Sequence, residues 1–94
     1  MKYENRYGKE LEQILAKISQ NKSLLHEFLL DLLSPAEYKE LAVRVQIIKL
    51  LNKKMPHRAI SKALKVGVST INRGARALSN TKGGFSRVTS KKII

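Results

Sequence analysis

The residues with the most chemistry to offer lie in one stretch, HRAISKALKVGVSTINRGARAL, residues 57–78. Ser61, Ser69, Thr70 and Asn72 carry short groups that both donate and accept hydrogen bonds. Lys62, Lys65, Arg73 and Arg76 are interleaved with them, and Val68 adds an apolar surface. This combination suits a nucleic-acid duplex, with polar side chains for base edges and cations for phosphates. Catalysis fits less well. The chain has no cysteine, only two histidines (His26 and His57), and no acid after Glu40. His57 reads as a helix-start or phosphate-contact residue and His26 as a surface one. No catalytic residue, metal site or cofactor is expected.

The charge distribution points the same way. Residues 1–40 hold seven acids and six bases, whereas residues 41–94 hold thirteen bases and no acid. A near-neutral half followed by an acid-free basic half is the pattern of a polyanion-binding module on a packing scaffold. An anionic membrane surface is the main competing partner. No apolar run approaches the roughly 18 residues of a membrane span, and the opening MKYENRYGKELEQ lacks the apolar stretch of a signal peptide. The absence of cysteine is compatible with the cytoplasm. Three tyrosines and two phenylalanines provide few platforms for stacking single-stranded bases, so RNA binding ranks below duplex DNA.

Helices must position these groups, because the apolar spacing is helical almost throughout. A first helix is predicted over Glu4 to Ser19, with Leu11, Ile14, Leu15 and Ile18 as its stripe. A second covers Leu24 to Leu33, with Ser23 as its cap and Leu25, Phe28, Leu29, Leu32 and Leu33 on a wide apolar face. Ser34-Pro35-Ala36-Glu37 is a capping box with proline at the first helical position. It opens a third helix, Pro35 to Lys54, in which Leu41, Val45, Ile48 and Leu51 form one stripe. Ala42, Val43, Ile47 and Leu50 spread apolar character around the rest. A helix apolar on most sides needs a large core. A chain of 94 residues cannot supply one, so burial against a second copy is expected.

Met55-Pro56 breaks the third helix. A short helix, Pro56 to Leu64, and another, Val68 to Leu78 capped by Ser69, follow on either side of a Lys65-Val66-Gly67 turn. Two short helices joined by a glycine-containing turn constitute a helix-turn-helix unit. Ile60, Ala63, Leu64, Val66 and Ile71 are expected between the two helices, and the polar residues outside. In such units the first turn of the second helix meets base edges in the major groove. Residues 80–94, NTKGGFSRVTSKKII, read as a basic, flexible tail.

The run from Leu24 to Ser79 resembles the tryptophan operon repressor family. The matching elements are the Ser-Pro-x-Glu helix start, Arg44-Val45 in the long helix, Met55 before the helix-turn-helix, and Thr70-Ile71-Asn72-Arg73-Gly74. The resemblance implies an all-α, intertwined homodimer with protruding helix-turn-helix heads. Trp repressor is itself among the proteins that define this docking geometry, in which dimer heads meet major grooves about 34 Å apart. It further implies a repressor of tryptophan biosynthesis or salvage genes, bound to operator DNA with L-tryptophan as corepressor. Arg44 is then implied to stack on the indole ring, and Arg73 to pair with the ligand carboxylate. Gly74 would admit the ligand close to the backbone, and Leu33 and Ser34 would line the pocket with carbonyls toward the ammonium. Ala77 stands where the family can carry a serine, and Lys65 where it has a turn glycine. Residues 80–94 do not resemble the family's closing helix. The organisation predicted is one helical domain over residues 1–79, its helix-turn-helix near 57–79, and the tail. A ligand-independent DNA-binding regulator is the alternative.

Overall fold

The structure, a computed structural model, describes residues 2–94, with side chains from residue 5 onward. Among these residues it is all-helical: α1 (Lys2–Ile18), α2 (Lys22–Leu32), α3 (Pro35–Asn52), α4 (His57–Leu64), α5 (Val68–Ser79) and α6 (Gly84–Ser90). None of these helices is long and apolar enough to cross a membrane. The chain divides into two compact units, Met1–Tyr38 and Lys39–Ile94. A single domain over 1–79 is therefore not how the contacts group, and the presumed tail belongs to the second unit.

In the first unit, α2 begins earlier than its leucines suggest. Asn21, in extended backbone, accepts the Leu24 N–H at 3.0 Å through Oδ1 and replaces Ser23 as the cap. The capping box forms as predicted. Ser34 N–H donates to Glu37 Oε1 at 2.8 Å, and Glu37 N–H donates to Ser34 Oγ at 3.2 Å. His26 meets Tyr38 edge to face, their ring centroids 6.4 Å apart. None of the described side chains in this unit is fully buried. Leu24, Leu30 and Leu32 are each about half exposed, and Leu11 and Ile14 are also open to solvent.

The second unit holds the core. Ile47, Ile60 and Ile71 are buried, with Val43, Leu50, Leu51, Met55, Leu64 and Val66 packed against them. One isoleucine each from α3, α4 and α5 thus locks the hairpin of α4 and α5 onto the long helix. Ala63, expected between α4 and α5, faces solvent instead. An eight-residue helix presents only about two turns, and Ile60 and Leu64 fill its buried stripe.

Three helices end on a lysine in the left-handed region, where glycine is the usual occupant. Lys54 (φ 67°), Lys65 (φ 56°) and Lys92 (φ 58°) follow α3, α4 and α6 respectively. After α3, Met55 N–H reaches Leu50 O and Lys54 N–H reaches Leu51 O, the paired bonds of a Schellman motif. Met55 is thereby turned back into the core beside Leu50. After α4, Lys65 alone takes the unusual conformation, because Gly67 has an ordinary φ of −68°. Gly67 rather than Ser69 is the cap residue of α5.

Residues 80–94 contain a helix rather than a flexible tail. Asn80 builds the turn into it, accepting Gly83 N–H on its carbonyl at 2.9 Å and Lys82 N–H on Oδ1 at 3.2 Å. Ser86 Oγ then donates to Leu78 O at 2.6 Å, tying α6 to the end of α5. Gly83, in extended backbone, is the cap residue of α6, and Gly84 is its first residue. The apolar signal of α6 is only Phe85 and Val88, too short to register as a period.

Candidate nucleic-acid interface and ligand cavity

The second unit presents one cationic surface. Lys62, Lys65, Val68, Ser69, Thr70, Asn72, Arg73 and Arg76 are all exposed along α4, the turn and α5. They are exposed because Ile60 and Ile71 take the inward positions of their helices, which turns the intervening polar residues outward. No acid follows Glu40 in the sequence, and among the described residues the one ion pair is Glu40 with Arg44. The cations of this surface therefore have no intramolecular carboxylate to leave before meeting a phosphate.

Two residues of the predicted interface have further roles. Ser61 is half-buried, and its hydroxyl donates to Val66 O at 2.6 Å while Val66 N–H returns to Ser61 O at 3.2 Å. Its donor is thus committed to closing the turn, which leaves only the acceptor side of the hydroxyl for a contact at the proposed nucleic-acid surface. Asn72 Oδ1 lies 3.0 Å from His57 Nδ1. Sequence reasoning assigned each a separate contact and had no signal for their pairing across two helices.

Next to this surface, α3, α5 and α6 enclose an open cavity of about 230 Å³. Ile47, Ile48, Gly74 and Ala77 supply apolar lining, and Phe85 adds an aromatic wall. Arg44, Arg73, Thr70 and Glu40 supply polar groups. Arg44 and Arg73, from different helices, are brought to one site together with Gly74. Arg44 Nη2 donates to Glu40 Oε1 at 2.9 Å, so one guanidinium is held by a neighbour one helical turn away. A Cβ on Gly74 would stand 3.1 Å from Ile47 Cγ2 and 3.4 Å from Ile48 Cδ1. At that distance an added Cβ is tighter than ordinary packing, so Ile47 would have to give by a few tenths of an ångström to admit it.

Leu33 and Ser34, the other two predicted ligand residues, belong to the first unit, whereas the cavity is built from residues of the second. The Ser34 hydroxyl is engaged in the capping box. Glu40 and Phe85 were missed. Glu40 is the only acid of residues 39–94, which is a signal visible in the sequence. Phe85 was hidden by reading its segment as a tail. Such a cavity, with guanidinium planes on an apolar floor, can hold a flat apolar group bearing a carboxylate.

An all-helical fold with an exposed, acid-free cationic surface has the character of a small polyanion-binding module. The model of the family described as Trp repressor protein matches residues 9–93, and the chain belongs to that family of DNA-binding transcriptional repressors, which are regulatory rather than enzymatic proteins. The match extends well beyond residues 24–79 and takes in most of α1 and all of α6. No solved structure matches the chain.

Proposed function

We propose that this protein is a homodimeric repressor that binds operator DNA through the helix-turn-helix of α4 and α5 and is activated by L-tryptophan. The observation that carries the ligand assignment is the convergence of Arg44, Arg73 and Gly74 on one cavity. The Arg73 guanidinium forks onto the ligand carboxylate, and the indole lies against Gly74, flanked by the planes of Arg44 and Arg73. Because Arg73 and Gly74 belong to α5, the ligand acts on the reading helix itself. It favours the DNA-competent orientation of α5 only to the extent that it binds that orientation more tightly.

Dimerisation is supported by the amount of apolar surface one chain leaves in water. Leu24, Leu30, Leu32, Leu41 and Val45 are each more than two-fifths exposed. A second copy of the same chain supplies the missing core, and a two-fold dimer implies a palindromic operator.

The test is calorimetric titration with L-tryptophan, paired with gel shifts on operator-length duplexes with and without the amino acid. Saturable binding together with ligand-dependent retardation is expected. DNA binding without ligand binding would leave a ligand-independent regulator, a reading favoured by the Glu40–Arg44 pair, which gives Arg44 a partner on its own helix. Sedimentation of the free protein as a monomer would remove the dimer.

A further inference from the structure

The contact between α4 and α5 at the cationic surface bears on which base is read. His57 is the first residue of α4 and Asn72 lies in the second turn of α5; both are exposed, and His57 Nδ1 stands 3.0 Å from Asn72 Oδ1. A carboxamide oxygen only accepts hydrogen bonds, so the proton between them is on His57 Nδ1. This holds for the neutral ring with hydrogen on Nδ1 and equally for the imidazolium. Asn72 Nδ2 is then the carboxamide atom turned away from the imidazole, with two hydrogens to donate.

An unconstrained asparagine in the major groove usually reads adenine, donating to N7 and accepting from N6. That contact uses the oxygen and the nitrogen together. Here the oxygen is already accepting from His57, and an adenine amino group would have to share it. Guanine presents only acceptors at that edge, N7 and O6, and is served by Nδ2 alone.

We propose that His57 is a positioning residue for base readout: by donating from Nδ1 to Asn72 Oδ1 it makes Asn72 a donor that selects guanine over adenine. The inference rests on the DNA-binding reading above and deepens it by naming a specificity determinant. Neither the charge of the surface nor the ligand cavity enters it.

The test is selection of duplexes from a randomised pool by the full-length protein in saturating L-tryptophan, comparing wild type, Asn72→Ala, His57→Ala and His57→Gln. Wild type is expected to prefer guanine at a position whose preference disappears in Asn72→Ala. His57→Ala should shift the guanine-to-adenine ratio there toward adenine by about fivefold or more, the low end of what a bidentate contact supplies. His57→Gln, which retains a donor, should restore much of the guanine preference. An unchanged base ranking in His57→Ala overturns the proposal. So does a uniform loss of affinity with a shallower salt dependence, which would make His57 a phosphate contact. Failure of the wild type to enrich any duplex would overturn the DNA-binding reading itself, and this inference with it. Because His57 and Asn72 are exposed, circular dichroism of each variant should match the wild type.

Discussion

Gly74 and Ile47 meet so closely that an added methyl group on Gly74 would lie 3.1 Å from Ile47 Cγ2. Ile47 is 2 % exposed and packed in the core, so it has little room to yield. Gly74→Ala therefore sets overpacking of about 1–3 kcal/mol against a helix-propensity gain of about 1 kcal/mol. A net destabilisation of about 1 kcal/mol is expected by urea denaturation. The displaced α5 should also weaken L-tryptophan binding by on the order of tenfold, equivalent to about 1.4 kcal/mol. A variant as stable as wild type with unchanged ligand affinity would show that the crossing can relax.

Arg73→Ala removes the group assigned to the ligand carboxylate. A hydrogen bond to a charged group contributes about 1.5–3 kcal/mol, so affinity for L-tryptophan should fall by about 10- to 100-fold. Tryptamine, which lacks the carboxylate, serves as the control. If the variant loses affinity for both compounds equally, Arg73 packs on the ring without pairing with the carboxylate.

Lys65 separates stability from binding. A non-glycine residue in the left-handed region costs about 1 kcal/mol, so Lys65→Gly should stabilise the fold by a similar amount. In a domain of this size that corresponds to a Tm rise of roughly 4–8 °C. The same substitution removes one cation per protomer from the proposed DNA surface, and the salt slope of DNA binding by the dimer should shrink by about 1.8, about 0.9 for each copy. Lys54→Gly, at the end of α3, should reproduce the stabilisation. A lowered Tm in both variants would count against strain at these positions.

The capping box predicts an acid response. The Ser34 backbone N–H, and then its hydroxyl, hold the Glu37 carboxyl below the ordinary glutamate value. A depressed folded-state pKa means that the charged form is favoured by folding. Its contribution is present above the unfolded value and is lost as pH falls through the folded one. The first turn of α3 should therefore loosen in mild acid, seen as faster exchange of the Ser34 amide than the intrinsic pH dependence alone gives. Glu37→Gln should flatten that response; a wild-type profile already flat across the carboxylate range would refute it.

What could be read from the chain alone is what short-range physics decides. The capping box of Ser34 and Glu37 lies within four residues, and the turn after Leu64 follows from two helical patterns interrupted at Lys65–Gly67. The segregation of acids before residue 41 is a property of composition. Arg44, Arg73 and Gly74 could be named through family resemblance, but no local rule brings them together. That required Ile47, Ile60 and Ile71 to lock three helices into one core. The same packing turned the Ser61 hydroxyl into the turn, left Ala63 in water and placed His57 against Asn72. It also gave residues 84–90 a surface on which to fold, through Phe85 beside the cavity and Ser86 on Leu78. Seven residues with two apolar side chains have too little periodicity of their own to specify a helix. Their structure depends on the neighbours that tertiary contacts supply, which a reading along the chain does not contain.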